Sequence, residues 1–143
     1  LAGLYEQLGD KHQAEIYYGR ALKVWGNDLK ADLNAAATFS SLARLKTSQG
    51  KHAEALPLLM KALEFRQMSL GPQHEDTIET LEDLAELELE YQGNAAGALN
   101  FLHSALSARE ALGQADGQLL RCVVLQADCY QYMGNYELSQ NLY

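Results

Sequence analysis

Four glycines, Gly9, Gly50, Gly93 and Gly134, fall 41, 43 and 41 residues apart and set the register of a repeat that runs through the chain. Their neighbours recur with them. Ala-Leu pairs stand at 21–22, 62–63 and 105–106, and Ala14, Ala55, Ala98 and Ser139 each follow their glycine by five positions. A repeat of this length makes each copy a similar supersecondary unit, and neighbouring copies must bury one another's apolar faces. Within the copies, apolar residues return at helical steps of three and four, as in Leu56, Leu59, Leu63 and Leu99, Leu102, Leu106. No strand-like alternation competes. Glycine suits the left-handed backbone that ends a helix, and the short stretch after each one leaves room only for a tight turn. Each copy is therefore expected to be a helical hairpin. Small residues at Ala2, Ala43, Ala85 and Ala127, facing Ala14, Ala55, Ala98 and Ser139, would let its two helices approach closely.

The spacing predicts helices near 1–8, 11–25, 29–49, 52–68, 75–92, 95–111, 116–133 and 136–143. With 143 residues, 48% hydrophobic and 21% charged, the chain has the composition of about one soluble domain. Its repeats are expected at about 1–28, 29–74, 75–115 and 116–143. Having no initiator Met, no cleavable leader and no apolar run of the ~18 residues that cross a bilayer, it reads as a soluble piece of a longer protein. A formal charge of −8 and a pI near 4.9 disfavour nucleic acid and anionic membranes and favour cationic partners. The cysteines, Cys122 and Cys129, sit two turns apart on one predicted helix, roughly 10 Å between Cα atoms and beyond disulfide reach. Both are expected to be buried free thiols, which points to a reducing, cytoplasmic setting.

Leu1-Ala2, Tyr5, Gly9, Ala14, Tyr18 and Ala21 follow a pattern that resembles the tetratricopeptide repeat (TPR). The period near 42 and the connector from Leu70 to Leu87 are similar to the long-helix subtype found in kinesin light chains. That resemblance covers essentially the whole chain. It implies an all-α fold, an α-solenoid of stacked antiparallel hairpins in a right-handed superhelix, and a role in binding other proteins. Three departures stand out. The third copy has one extra residue between Leu84 and Gly93, so its first helix should end in an irregular or wider turn. Pro57 falls about one turn into a helix, where a missing amide donor implies a mild kink or a late start. Where the subtype carries groove asparagines, this chain has Phe39-Ser40-Ser41-Leu42-Ala43 and Leu81-Glu82-Asp83-Leu84-Ala85.

Catalytic constellations are not apparent. His12, His52, His74 and His103 lie in four separate places as solvated or edge-packed side chains, and no His-x-x-x-His, Cys-x-x-Cys or phosphate-cradling glycine loop occurs. The chain is expected to be no enzyme and to need no cofactor or metal. Tyr5, Tyr18, Phe39, Phe65 and the other aromatics mostly occupy repeat-core positions without interleaved basic residues, unlike a nucleic-acid groove.

The segment from Glu75 to Glu90 holds eight carboxylates and no Lys or Arg. With Ile78, Leu81 and Ala85 turned to the core, Glu79, Glu82, Asp83, Glu86 and Glu90 form one stripe directed away from it. Two readings stand side by side: a solvated charged face, and a face whose self-repulsion a cationic ligand relieves. The family resemblance adds that first helices line the concave groove. It selects Glu6 and Gln7 in copy one, and Ser40, Ser41, Arg44, Thr47 and Ser48 in copy two. In copy three it selects Glu82, Asp83, Glu86 and Glu90, and in copy four Val124, Leu125, Asp128, Gln131 and Tyr132, with Arg121 beside them. A groove of this acidity would repel the acidic peptide tails that carboxylate-clamp repeats bind.

The leading functional expectation is a scaffold that binds a Lys/Arg-containing peptide or helical segment in an acidic groove. The alternatives are a structural module that contacts the rest of its chain or a second copy, and a peptide-sensing regulatory domain. Weak self-association is expected through an apolar edge at Tyr136, Leu142 and Tyr143.

Overall fold

The computed structural model describes residues 2–25, 33–113, 116–135 and 140–142, the side chains of 116–118 excepted. Its α-helices are α1 (Ala2–Gln7), α2 (Lys11–Trp25), α3 (Leu33–Ser48), α4 (His52–Leu70), α5 (Glu75–Leu87), α6 (Ala95–Ala111) and α7 (Asp116–Tyr132). A π-helical turn, Glu88–Gln92, continues α5. No strand occurs among the described residues. The expected extension of α3 back to 29 and the expected helix at 136–143 fall largely outside the described residues, as do Tyr136 and Tyr143 of the expected edge.

The chain divides into two compact units, Leu1–Ser69 and Leu70–Tyr143. In the first, Ala14, Tyr18, Leu42 and Leu45 form the core, with Ala2, Tyr5, Leu22 and Leu58 packed against it. Phe39 of α3 stacks on Phe65 of α4, ring centroids 5.8 Å apart. In the second, Ile78, Leu81, Leu84, Ala85 and Leu87 of α5 are buried with Ala98, Leu99, Leu102 and Ala105 of α6 and Cys122, Ala127 and Cys129 of α7. Each large side chain so buried contributes about 1.5–3 kcal/mol. Of the alanines expected to allow close approach, Ala14, Ala43, Ala55, Ala85, Ala98 and Ala127 are buried and Ala2 is half-buried; a larger side chain at the buried positions would hold two backbones apart.

The turns account for the repeat's glycines. Gly9, Gly50 and Gly134 have φ of 78°, 74° and 76°. At each, the glycine amide bonds to the carbonyl three residues back and the next amide to the carbonyl five back: Gly9 to Glu6 and Asp10 to Tyr5, Gly50 to Thr47 and Lys51 to Lys46, Gly134 to Gln131 and Asn135 to Tyr130. This is the Schellman pattern, which satisfies the last carbonyls of a helix. In the third copy both bonds are one residue longer, from Gly93 to Leu89 and from Asn94 to Glu88. The extra residue expected between Leu84 and Gly93 is thus taken up as a π turn.

Pro57 departs from expectation in one respect. There is no late start, since α4 begins at His52 and runs through the proline. Pro57 is exposed, so water can reach the carbonyl that loses its donor.

Candidate partner-binding surface

Three short-range contacts place α5. His74 is its N-cap, with Nδ1 accepting from the Asp76 amide at 3.2 Å. The Thr77 hydroxyl donates to the Gly71 carbonyl at 2.9 Å and ties the connector to the first turn. Glu75 and Asp76 lie in that turn, where carboxylates meet the positive end of the helix dipole. His74, expected as a solvated connector residue, therefore has a structural task.

Along α5 the carboxylates do not form one solvent-facing stripe. Glu79 is exposed and Asp83 and Glu86 are half-buried, but the Glu82 side chain is only 1% exposed. The expectation that Glu82 points away from the core is corrected here. It lies at helical steps from Ile78 and Ala85 and shares their buried face. Its charge is met from two neighbouring helices. Arg109 of α6, with a side chain 5% exposed, donates from Nε to Glu82 Oε1 at 2.9 Å and from Nη1 to Glu75 Oε1 at 3.0 Å. Arg121 of α7, 43% exposed, donates from Nη1 to Glu82 Oε2 at 3.2 Å and from Nη2 to Asp83 Oδ1 and Glu86 Oε2, both at 2.8 Å. The Cys122 thiol completes the cluster, donating to Glu82 Oε1 at 2.9 Å.

A buried carboxylate left alone would be severely destabilising, whereas this one is paired and hydrogen-bonded on both oxygens. Burial opposes the charge on Arg109, but its hydrogen bonds to Glu82 and Glu75 prevail and raise its pKa above the ordinary value. Burial, then the bond to Glu82, pushes Cys122 up to about 12. Burial, then the nearby Asp128 charge, pushes Cys129 up to about 11. Both thiols are free, buried and protonated at neutral pH, as buried apolar residues should be.

The expected groove residues of copies one and two belong to the first unit. Glu6 is exposed and accepts from the Tyr18 hydroxyl at 2.8 Å; Gln7 and Arg44 are exposed. Thr47 and Ser48 donate to their own helix, at the Ala43 and Leu45 carbonyls, and Ser41 is half-buried. Ser40 is another correction. It is 7% exposed, its hydroxyl enclosed with no hydrogen-bond partner among the described residues, so it does not line an open groove. In the second unit Asp128, Val124 and Leu125 are half-buried, Gln131 and Glu90 are exposed, and Leu142 is half-buried. Tyr132 is exposed, with its hydroxyl against the backbone of Gly93. The structure thus brings Glu82, Asp83, Glu86 and Arg121 together.

Two features escaped the sequence reading. One is Arg109. The other is Lys46 of α3, 7% exposed, which pairs with Glu15 of α2 at 2.5 Å and Glu54 of α4 at 2.6 Å. The signal existed in both cases. Lys46 follows Leu42 by four and Arg109 follows Leu102 by seven, so each occupies an apolar stripe where a charge must find partners inside.

The fold and the turn geometry define an all-α protein of the helical-repeat, or α-solenoid, class. The tetratricopeptide-repeat family model matches residues 34–111, more than half of the chain, and a second tetratricopeptide-repeat model matches residues 1–24. The chain belongs to the tetratricopeptide-repeat family. A search of the curated proteins found no match. Among solved structures it is similar to BtubC (BKLC) from P. vanneervenii, at 24% identity with a TM-score of 0.87, over 99% of this chain and 57% of that one. It is also similar to a kinesin-light-chain protein of Podosopora anserina described by its nearly identical TPR-like repeats, at 20% identity and a TM-score of 0.80, over 99% of this chain and 67% of that one. A point variant of the latter gives 19% identity and 0.82 over the same shares. These likenesses are of fold, and they are to kinesin-light-chain-like tetratricopeptide repeats. The chain spans somewhat more than half of the BtubC chain. Among the described residues, no helix is long and apolar enough to cross a membrane.

Proposed function

We propose that this chain is a non-catalytic protein-interaction scaffold that holds a peptide or helical segment of a partner against the first helices of its repeats, with Lys- and Arg-containing segments favoured. Repeats of this family mediate protein–protein contacts, and the preference comes from charge. The observation that carries it is the composition of the second unit: residues 70–143 hold twelve of the chain's 19 carboxylates and only two cations, Arg109 and Arg121. Both guanidiniums are already engaged by carboxylates of α5. Exposed acids such as Glu79 and Glu90 are left to attract an incoming cation, steering its approach more than fixing its final affinity. The buried free thiols fit a reducing, cytoplasmic setting.

A short peptide alternating arginine and serine, titrated by fluorescence anisotropy, tests this reading. It should bind more weakly as salt is added, and Glu79→Lys with Glu90→Lys should weaken it about tenfold at low ionic strength. Both substitutions are at exposed positions, so helicity should be kept. Binding unaffected by the double substitution and by salt would reduce the acidic surface to a solvated face.

A further inference from the structure

Copy one carries a basic face that the other copies lack. His12, Ile16, Gly19 and Lys23 recur at helical steps along one side of α2 and, with Glu15 and Arg20, line an open groove of about 330 Å³. In copy two the places of His12, Arg20 and Lys23 hold Ala53 and the Lys61–Glu64 ion pair, and in copy three they hold Ala96, Ser104 and Ser107. Arg20 and Lys23 stand one turn apart, where like charges oppose helix formation. Among the described residues neither pairs with a carboxylate; Arg20 lies over the Tyr17 ring, 5.5 Å from its centroid. The groove's own carboxylate is occupied, since Glu15 accepts from Lys46 and Gln49. Gly19, in the middle of this face, is the second observation. It lacks the positive φ that accounts for the turn glycines, and a Cβ there would meet nothing within 4 Å. Packing inside the chain therefore gives no reason for a glycine, which weakens a helix relative to alanine. The equivalent positions carry full-sized, exposed side chains, Met60 and His103. What an uncovered glycine does permit is the close approach of another backbone.

Charge complementarity identifies the occupant, because residues 70–143 hold twelve acids against two cations, both engaged, and leave Glu79 and Glu90 exposed. We infer that the basic face of α2 docks the acidic second unit of another copy of this chain, with Arg20 and Lys23 reaching its exposed carboxylates and Gly19 admitting its backbone. The inference rests on the cationic-segment reading above and deepens it, since the cationic helical segment is then α2 of a neighbouring copy. Such a contact joins two different surfaces, so each copy keeps one of each and association continues from copy to copy instead of stopping at a dimer.

Sedimentation of the purified chain over a concentration series tests this. The wild type should associate reversibly at low ionic strength and fall apart between about 0.02 and 0.3 M sodium chloride; association that persists or strengthens with salt would place the contact on an apolar surface and overturn the proposal. The double variant Arg20→Glu with Lys23→Glu, and separately Glu79→Lys with Glu90→Lys, should each weaken association about tenfold or more, and mixing the two double variants should restore it, because the reversed charges then face each other. Failure of the mixture to associate overturns the pairing. Gly19→Met introduces the residue of copy two into open space, so it should leave helicity and melting temperature no lower while weakening association about tenfold. It also serves as the measurement should a charge variant lose helicity by circular dichroism, and association unchanged by it overturns the docking role of α2. If the wild-type chain binds the arginine–serine peptide through Glu79 and Glu90 but stays monomeric, this inference fails and the scaffold reading stands. If it neither binds the peptide nor associates, both fail together.

Discussion

Glu82 shows how much one side chain's surroundings decide its meaning. On the helix surface it would be one acid among several; inside, it is the hub on which Arg109, Arg121 and the Cys122 thiol converge. Truncating it leaves Arg109 short of a buried partner, so Glu82→Ala should lower unfolding free energy by about 3–5 kcal/mol, whereas Glu86→Ala, at a half-exposed pair, should change it by no more than about 1 kcal/mol. Urea denaturation followed by circular dichroism separates the two, and equal costs would refute the asymmetry. Lys46 is the counterpart in the first unit. Its hydrogen bond to Glu15 holds that carboxyl below the ordinary carboxylate range, against the smaller opposing effect of burial. A depressed folded-state pKa means that unfolded Glu15 binds a proton first as the pH drops. The pair's contribution is thus full above the ordinary carboxylate range and is lost as the pH falls through the folded value. Glu15→Gln should flatten the acid limb of the stability–pH curve, read from denaturation midpoints; an unchanged limb would show that the pair contributes nothing.

At the scale of the element, the π turn is the feature on which copy three differs from its neighbours. Gly93, at φ 61°, closes it, and a Cβ there would run into the hydroxyl end of Tyr132. Gly50 has a similar φ of 74° but open space around it. Gly50→Ala should therefore cost only the backbone penalty of about 1–2 kcal/mol, and Gly93→Ala should cost more because Tyr132 must also move. Thermal unfolding of the two variants makes the comparison, and equal losses would mean that the tyrosine contact contributes nothing. The hairpins, their glycine turns and even the irregular end of α5 were legible in the sequence, because each depends on residues within one repeat and the repeats calibrate one another. The pairing around Glu82 was not. Arg109 and Arg121 lie 27 and 39 residues away, and amphipathic spacing on a single helix cannot register a cation supplied by another. Ser40 was misplaced for the same reason: the family's groove positions say which face a residue is on, not how closely the next helix covers it.

Across the whole molecule, charge is distributed unevenly. Residues 1–69 hold nine of the 11 Lys and Arg against seven acids, while residues 70–143 hold two against twelve. The second unit folds against its own repulsion, so moderate salt should stabilise it by screening the exposed acids while sparing the buried Glu82–Arg109 pair. Its melting temperature should rise by a few degrees between about 0.02 and 0.3 M sodium chloride, followed by calorimetry; a fall would mean that exposed ion pairs dominate. The π turn bears on the chain at this scale as well. An inserted residue that bulges from a loop moves whatever follows it, but one wound into a helix end is absorbed as slack. Beyond the 43-residue interval the spacing from Gly93 to Gly134 returns to 41, so the insertion did not dephase the next copy. Helix ends of this kind are places where such a protein can change length by one residue at little cost, and a natural lineage or a protein engineer can use them to vary the surface of one repeat while its neighbours keep step.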